Sequence, residues 1–181
     1  MGAAPVRAAG LAETGGADRA DGGTGRRSLR RAWPLLAVLA LVAVWTFVAE
    51  PLQVTSVSME PGLRAGEHLI VDKLTYRTRR PRRDELIVFP QPGDGQLAVK
   101  RVVGLPGDSV ALEDGVLVVN DAVRHESYVD HRTVDSVYFG PKIIPPGTVF
   151  VMGDNRGPSI DSRDYGPVAV DSIVGRVIWN S

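Results

Sequence analysis

Three polar segments have residue types and spacing that could carry out acyl transfer. Ser56 and Ser58 stand two apart directly before Met59, and Lys100 lies within the apolar run Leu97–Val103. The third segment is a polar loop, residues 153–163. A serine hydroxyl needs a base to become a nucleophile. A lysine shielded from water can be that base, because burial disfavours the ammonium form and lowers the pKa of the amine.

Each segment also fits a role without chemistry. A Ser-x-Ser pair is most often part of a turn or a helix cap. In a strand, Ala98, Lys100 and Val102 share one face, and a lysine there is more often an exposed gatekeeper of a sheet edge than a desolvated amine. Asp161 and Arg163 fit a local ion pair in a surface loop. The residues alone therefore leave both interpretations open.

The composition excludes several other kinds of site. The chain has no cysteine, which removes disulfides, thiolate zinc sites, iron–sulfur clusters and cysteine nucleophiles. Gly-x-Ser-x-Gly, Ser-x-x-Lys and His-Glu-x-x-His are all absent. The three histidines, His68, His125 and His131, leave little scope for a metal site, and His125 and His131 are better interpreted as surface residues. We therefore expect neither a metal nor a cofactor. With 21 basic and 21 acidic residues, the net charge of zero also argues against nucleic-acid binding.

Short apolar runs separated by turn signals predict strands rather than long helices in most of the chain. The predicted strands are His68–Asp72, Glu85–Phe89, Leu97–Val103, Ser109–Leu112, Val116–Val119, Thr148–Met152 and Ile173–Trp179. Asp114-Gly115 is a strong hairpin signal, and Asn120-Asp121 predicts a second hairpin. The expected fold is all-β, with mostly antiparallel sheets forming a sandwich or a barrel.

The N-terminal part divides into two compositions. Residues 1–31 are rich in Ala, Gly and Arg without apolar periodicity, so we expect a disordered basic tail. Residues 32–49 carry no charge and would span about 27 Å as a helix, which predicts a transmembrane helix. The arginines of residues 26–31 place the N-terminus in the cytoplasm, so residues 50–181 form an extracytoplasmic β-domain.

Two other interpretations of this N-terminal region are weaker. A cleaved signal peptide has a similar charge pattern, but Phe47 is too bulky for the third position before a cut after Ala49. A basic arm for nucleic acid is disfavoured, because the apolar run that follows explains the arginines better. We therefore favour an uncleaved anchor in the lipid bilayer.

Four segments behind a single anchor, in this order, resemble the boxes of bacterial type I signal peptidases, membrane-bound Ser/Lys endopeptidases that remove signal peptides. The segments are Ser56-Val57-Ser58-Met59-Glu60-Pro61, Arg83-Asp84-Glu85-Leu86-Ile87-Val88-Phe89, the stretch from Lys100 to Asp108, and Gly153-Asp154-Asn155-Arg156 followed by Ser159 and Asp161-Ser162-Arg163. The resemblance implies that family's fold of twisted antiparallel sheets. It also implies cleavage of exported preproteins after Ala-x-Ala sites at the bacterial cytoplasmic membrane.

By this resemblance, Ser58 is the nucleophile and Lys100 the general base. Ser56 lends its hydroxyl to the oxyanion hole beside the backbone N–H of Ser58, and Ser159 orients the amine of Lys100. The supporting contacts come from Asp154, Asp161 and Arg163, and the pocket for the small substrate residues is lined by Met59.

The chain departs from the family pattern at three places. Gly62 stands where the serine box usually has Thr, and Asp84 follows Arg83 where Arg-Gly-Asp has Gly. Gly157-Pro158 replaces polar residues of the last box.

Two alternative functions remain open. A soluble repressor-type autopeptidase shares the Ser/Lys dyad but carries a DNA-binding domain, for which this sequence has no helix-turn-helix pattern. The alternative from another class is an anchored β-domain that acts as a binding or assembly module with an inactive site.

Overall fold

The computed structural model describes residues 24–130, 134 and 137–180. Most of the predicted tail, residues 1–23, and His131 lie outside this part of the chain. The chain divides into two compact units, one ending at Leu39 and the other beginning at Ala40.

The N-terminal helix, α1, runs from Thr24 to Phe47. It begins eight residues before the expected start at Ala32, so it includes residues 24–31 of the segment that was predicted as a tail. Arginine, which makes up four of the eight residues 24–31, is a good helix former and lets the helix extend towards the N-terminus. Among the residues whose side chains are described, no helix is long and apolar enough to cross a membrane.

Short strands are the main regular secondary structure in the rest of the described chain. Their bounds are β1 Ala49–Gln53, β2 His68–Asp72, β3 Leu86–Pro90, β4 Leu97–Gly104, β5 Ser109–Glu113, β6 Val116–Val119, β7 Ala122–Val123, β8 Phe139–Ile143, β9 Thr148–Met152, β10 Val168–Ala169 and β11 Gly175–Asn180. Two one-turn helices, α2 Thr75–Thr78 and α3 Ser162–Tyr165, and a 3-10 turn, Val170–Ser172, connect some of them. The prediction of an all-β domain is confirmed.

These strands form two antiparallel sheets. Within the described residues, the larger sheet has the order β1-β2-β11-β3-β4-β9-β10 and the smaller has the order β7-β6-β5-β8. Both predicted hairpins are confirmed. Asp114 and Gly115 have φ of 50° and 77°, and Asn120 and Asp121 have φ of 54° and 61°. Positive φ at both central residues is the two-residue turn that matches the twist of paired strands.

The apolar faces of these strands bury three clusters. One lies between the two sheets around Phe150, Leu112 and Ile144, and a second surrounds Phe89 and Val151 in the larger sheet. The third cluster consists of Val54, Met59, Leu63 and Leu69. This last cluster fixes the segment that carries Ser58 against the larger sheet.

Candidate active site

Ser58 and Lys100 meet in the interior although they are far apart in the chain. Lys100 lies on β4, opposite Ile87 of β3, and its side chain is only 3% exposed. Its Nζ lies 2.7 Å from Ser58 Oγ. Lys100 is therefore a desolvated amine in contact with a hydroxyl, and the alternative of an exposed gatekeeper does not describe it.

Two further serines flank this pair. Ser56 Oγ lies 3.1 Å from Ser58 Oγ, and Lys100 Nζ donates to Ser159 Oγ at 3.1 Å. Ser159 Oγ in turn donates to Asp161 Oδ2 at 2.9 Å. One line of polar atoms thus runs from Ser56 through Ser58, Lys100 and Ser159 to the buried carboxylate of Asp161.

The Asp161 carboxylate is held in place from several sides. Arg163 Nε donates to Asp161 Oδ1 at 2.8 Å, and the backbone N–H of Gly153 donates to Asp161 Oδ2 at 3.0 Å. Asp161 also caps α3, since its Oδ1 accepts from the backbone N–H of Arg163 while Asp164 returns the bond to the Asp161 N–H. Because Ser159 donates its hydrogen bond to this carboxylate, its oxygen is left to accept from Lys100.

Burial lowers the pKa of Lys100 from its usual 10.5. The loss of hydration is the largest cause, because an ammonium ion is poorly stabilised away from water. Asp161, Asp154 and Asp164 act in the opposite direction, while Arg163 lowers the pKa further. The net direction favours a neutral amine, which is the form that can accept a proton.

A cleft of about 150 Å³ opens beside the serines. Its walls come from residues 53–59, from Gln91, Asp94 and Gln96 between β3 and β4, and from the first half of β4, Leu97–Lys100. This half of β4 pairs with β3 and lies before the register with β9 begins at Arg101. Met59 lines this cleft and also packs in the third apolar cluster. A narrow cleft with these walls has room for small side chains next to Ser58.

The comparison with known families agrees with these motifs. A family model described as signal peptidase, peptidase S26, matches residues 29–180. The chain belongs to this family. The resemblance indicated by the four sequence segments is therefore confirmed.

Individual S26 relatives support a serine endopeptidase of the signal peptidase I type. Signal peptidase I of Bacillus caldolyticus is 39% identical over 161 residues, covering 81% of this chain and 87% of that protein. Probable signal peptidase I-2 of Synechocystis sp. is 37% identical over 147 residues, covering 77% of this chain and 66%, just under two thirds, of that protein. A crystal structure of a signal peptidase I from Enterococcus faecalis V583 matches with a TM-score of 0.50 and 34% identity, over 54% of this chain and 97% of that one.

Two departures from the S26 pattern have a structural reason. A Cβ added to Gly62 would lie 2.6 Å from Asp154 Oδ2, so the absence of a side chain lets this carboxylate approach. Asp154 accepts two hydrogen bonds from Arg101, at 2.8 and 2.7 Å. Asp84, at the usual glycine position, has φ of 68°, a left-handed conformation that aspartate tolerates better than most residues. The structure offers no comparable reason for Gly157-Pro158.

Four residues that sequence reasoning left without a role in this S26 site lie close to it. Asn155 donates from its backbone N–H to the Ser58 carbonyl oxygen at 3.1 Å. Arg101 pairs with Asp154, and Arg156 forms a buried ion pair with Glu126 at 2.6 Å. Asn155, Arg101 and Arg156 stand inside the motif segments, which was the available signal. Glu126 stands in the loop between His125 and His131, where nothing in the sequence indicated burial.

Proposed function

We propose that this chain is a membrane-anchored serine endopeptidase that removes N-terminal signal peptides from exported precursors after Ala-x-Ala sites. Ser58 is the nucleophile and Lys100 is the general base. The observation that carries the proposal is the 2.7 Å approach of a buried Lys100 Nζ to Ser58 Oγ. Membership of the S26 family supports the same reaction.

The first half of the reaction forms an acyl-enzyme. Neutral Lys100 accepts the proton of Ser58 as Oγ attacks the scissile carbonyl carbon. The resulting ammonium then gives a proton to the nitrogen of the leaving amine as the peptide bond breaks. Ser159 keeps the amine aimed at Ser58 through the contact at 3.1 Å, and Asp161 keeps Ser159 in its orientation.

The second half returns the enzyme to its starting state. Lys100 takes a proton from a water molecule, which attacks the ester carbonyl, and the proton passes back to Ser58 Oγ as the carboxylate product leaves. In both halves the oxyanion is stabilised by the backbone N–H of Ser58 and the hydroxyl of Ser56. A donor of this kind is worth about 2.7–4 kcal/mol in other serine proteases.

The substrate pocket follows from the cleft beside Ser58. Leu97, Ala98 and Val99 line it together with Met59, while Gln53, Gln91, Asp94 and Gln96 add polar groups to its walls. A cleft of about 150 Å³ has room for a small side chain or a single ring, so its volume alone does not select alanine. The preference for small residues before the cut, as in Ala-x-Ala, is proposed from the resemblance to the S26 family.

The place of the reaction is the outer face of the bacterial cytoplasmic membrane. We propose that the apolar part of α1, from residue 32 to its end at Phe47, forms a single membrane span, with a basic N-terminal segment in the cytoplasm and the β-domain, whose first strand begins at Ala49, outside. Ser58 follows Ala49 by nine residues, which limits its reach to about 30 Å. A site so close to the bilayer meets preproteins as they emerge from translocation.

The function is tested with full-length protein in detergent and a precursor that carries one Ala-x-Ala site. We expect cleavage after the second Ala, identified by the mass of both products, and loss of cleavage in Ser58→Ala. Ser172→Ala, an exposed serine that bonds only to a nearby backbone carbonyl among the contacts described, is the matched control. If the wild type binds the precursor but leaves it intact from neutral to alkaline pH, the chain is a binding module and the proposal is wrong.

A further inference from the structure

Glu126 and Arg156 form an ion pair in the interior next to the proposed active site. Arg156 Nη2 donates to Glu126 Oε1 at 2.6 Å, and the two side chains are 0% and 1% exposed. A buried ion pair is weak evidence for stability, because the loss of hydration offsets much of the attraction. Such a pair is better explained if it holds a neighbouring backbone segment in one conformation. The contacts of Arg156 identify this segment.

Arg156 ends a turn that contacts the nucleophile segment. The turn is formed by residues 153–156, and Arg156 Nε donates to the Gly153 carbonyl oxygen across it at 3.0 Å. Asn155 of this turn donates from its backbone to the Ser58 carbonyl oxygen and from its side chain to the Val57 carbonyl oxygen, both at 3.1 Å. The turn that Arg156 closes therefore holds the backbone of Ser58.

The same turn is closely fitted to Ser159. A Cβ on Gly153 would overlap both Ser159 Oγ and the Ser58 carbonyl oxygen. The Gly153 N–H donates to Asp161 Oδ2, the oxygen that also accepts from Ser159. A small displacement of the turn would thus move Ser58 and Ser159 relative to Lys100, which contacts both.

Tyr128 connects this ion pair to a second one on the other side of the turn. Its hydroxyl donates to Glu126 Oε1 at 2.8 Å, and its ring lies 3.9 Å from the guanidinium carbon of Arg101. Arg101 in turn donates from Nε and Nη2 to the two carboxylate oxygens of Asp154. Burial raises the pKa of Tyr128 above its usual 10.0, so its hydroxyl stays protonated as a donor. Glu126 and Tyr128 thereby contact both arginines that hold the turn.

We propose that Glu126 is a positioning residue for peptide cleavage: through Arg156 it fixes the 153–156 turn and with it the alignment of Ser58 and Ser159 on Lys100. Tyr128 assists by holding Glu126 Oε1 and Arg101 together. The inference rests on the proposed function, since alignment matters only if Ser58 attacks a carbonyl. Glu126 touches neither the nucleophile nor the base, so its effect is on geometry alone.

The test compares Glu126→Ala, Glu126→Gln and Tyr128→Phe with Glu113→Gln, an exposed glutamate at the end of β5. The steady-state constants for the Ala-x-Ala precursor and the pH profile are measured on full-length protein, corrected for the folded fraction. We expect kcat in Glu126→Ala to fall about 100-fold with KM changed less than about threefold, since a displacement of about 1 Å can cost this much. Glutamine keeps the oxygen that accepts from Arg156 and Tyr128. The kcat of Glu126→Gln should therefore be at least tenfold higher than the kcat of Glu126→Ala.

The variants also separate positioning from folding and from tuning of the base. Tyr128→Phe keeps the ring under Arg101 and should fold, with kcat lowered about three- to tenfold. The pH at which activity rises should change little in every variant, because Glu126 is not among the main causes of the shift in the pKa of Lys100. Unchanged kcat per folded molecule in Glu126→Ala and Tyr128→Phe would overturn the inference and leave the proposed function intact. An intact precursor with the wild type would overturn the proposed function and this inference with it.

Discussion

The chemistry of the site depends on the protonation of Lys100. An exposed lysine is almost fully charged at neutral pH and cannot accept a proton from serine. In this chain burial on β4 lowers the pKa of the amine, and the nearby carboxylate of Asp161 limits how far it falls. The sequence showed Lys100 on an apolar strand but left its environment open, because the three segments that enclose it are separated in the chain.

Activity should therefore rise with pH through the lowered pKa of Lys100 and level off below pH 10.5. In Asp161→Asn the charge that raises this pKa is removed, so the rise should move to lower pH. The plateau should fall at the same time, because Ser159 loses the carboxylate acceptor that orients it. Values of kcat/KM across pH for both proteins test this. A shift to higher pH in Asp161→Asn would contradict the electrostatic account.

Lys100 should also lower the stability of the fold at neutral pH. Between its lowered pKa and 10.5, the unfolded chain binds one more proton at Lys100 than the folded chain. The free energy of unfolding should therefore rise with pH across this window. Lys100→Met should remove this rise and be more stable than the wild type at neutral pH, since methionine fills similar volume without a buried charge. Urea unfolding at a series of pH values measures the difference. A methionine variant less stable than the wild type at neutral pH would show that burial of the amine does not destabilise the fold.

At the scale of elements, hydrophobic pattern predicted the interior strands and missed the edges. Every predicted strand is present, with bounds shifted by no more than two residues. The strands that were missed are β1, β7, β8 and β10, and they are the outer strands of the two sheets. Edge strands are short or solvent-exposed, as in β8, where most residues are exposed, so they lack the alternation that marks a half-buried strand.

The resemblance predicted the contacts of Lys100 with Ser58 and Ser159, but the long-range ion pairs that surround them were not predicted. Pairs such as Arg101 with Asp154 or Arg156 with Glu126 join segments that are distant in the chain. Local pattern has no information on such contacts. It identifies the residue types that could react, while the approach of β4, the serine segment and the last loop decides which of them meet.

The close approach of Gly62 to Asp154 gives a test at this scale. Gly62→Ala should lower the free energy of unfolding by about 1–3 kcal/mol, the range for overpacking, because Arg101 holds the carboxylate that a Cβ would displace. In an Asp154→Ala background the same substitution should cost much less. Chemical unfolding of the four proteins gives the coupling between the two sites. Equal costs in both backgrounds would mean that the contact does not restrict residue 62.

At the scale of the whole molecule, the proposed membrane span is a means of bringing enzyme and substrate together. A chain that begins at Val48 keeps β1 complete, together with the Val48 carbonyl that accepts from the Lys73 N–H. On a short soluble peptide this truncated chain should match the full-length protein. On a precursor embedded in vesicles its kcat/KM should be about 100-fold lower, because tethering raises the effective concentration. Equal losses on both substrates would argue against a tethering role.

The most direct test of the proposed mechanism removes the amine of Lys100 while the fold stays intact. Full-length wild type, Lys100→Met and Lys142→Met are incubated with the Ala-x-Ala precursor, and both products are identified by mass. Lys142 is an exposed lysine on β8 and serves as the control. The account predicts cleavage after the second Ala by the wild type and by Lys142→Met, and at least a thousandfold lower rate in a folded Lys100→Met. Cleavage by Lys100→Met at the wild-type rate would contradict the assignment of Lys100 as the base that activates Ser58.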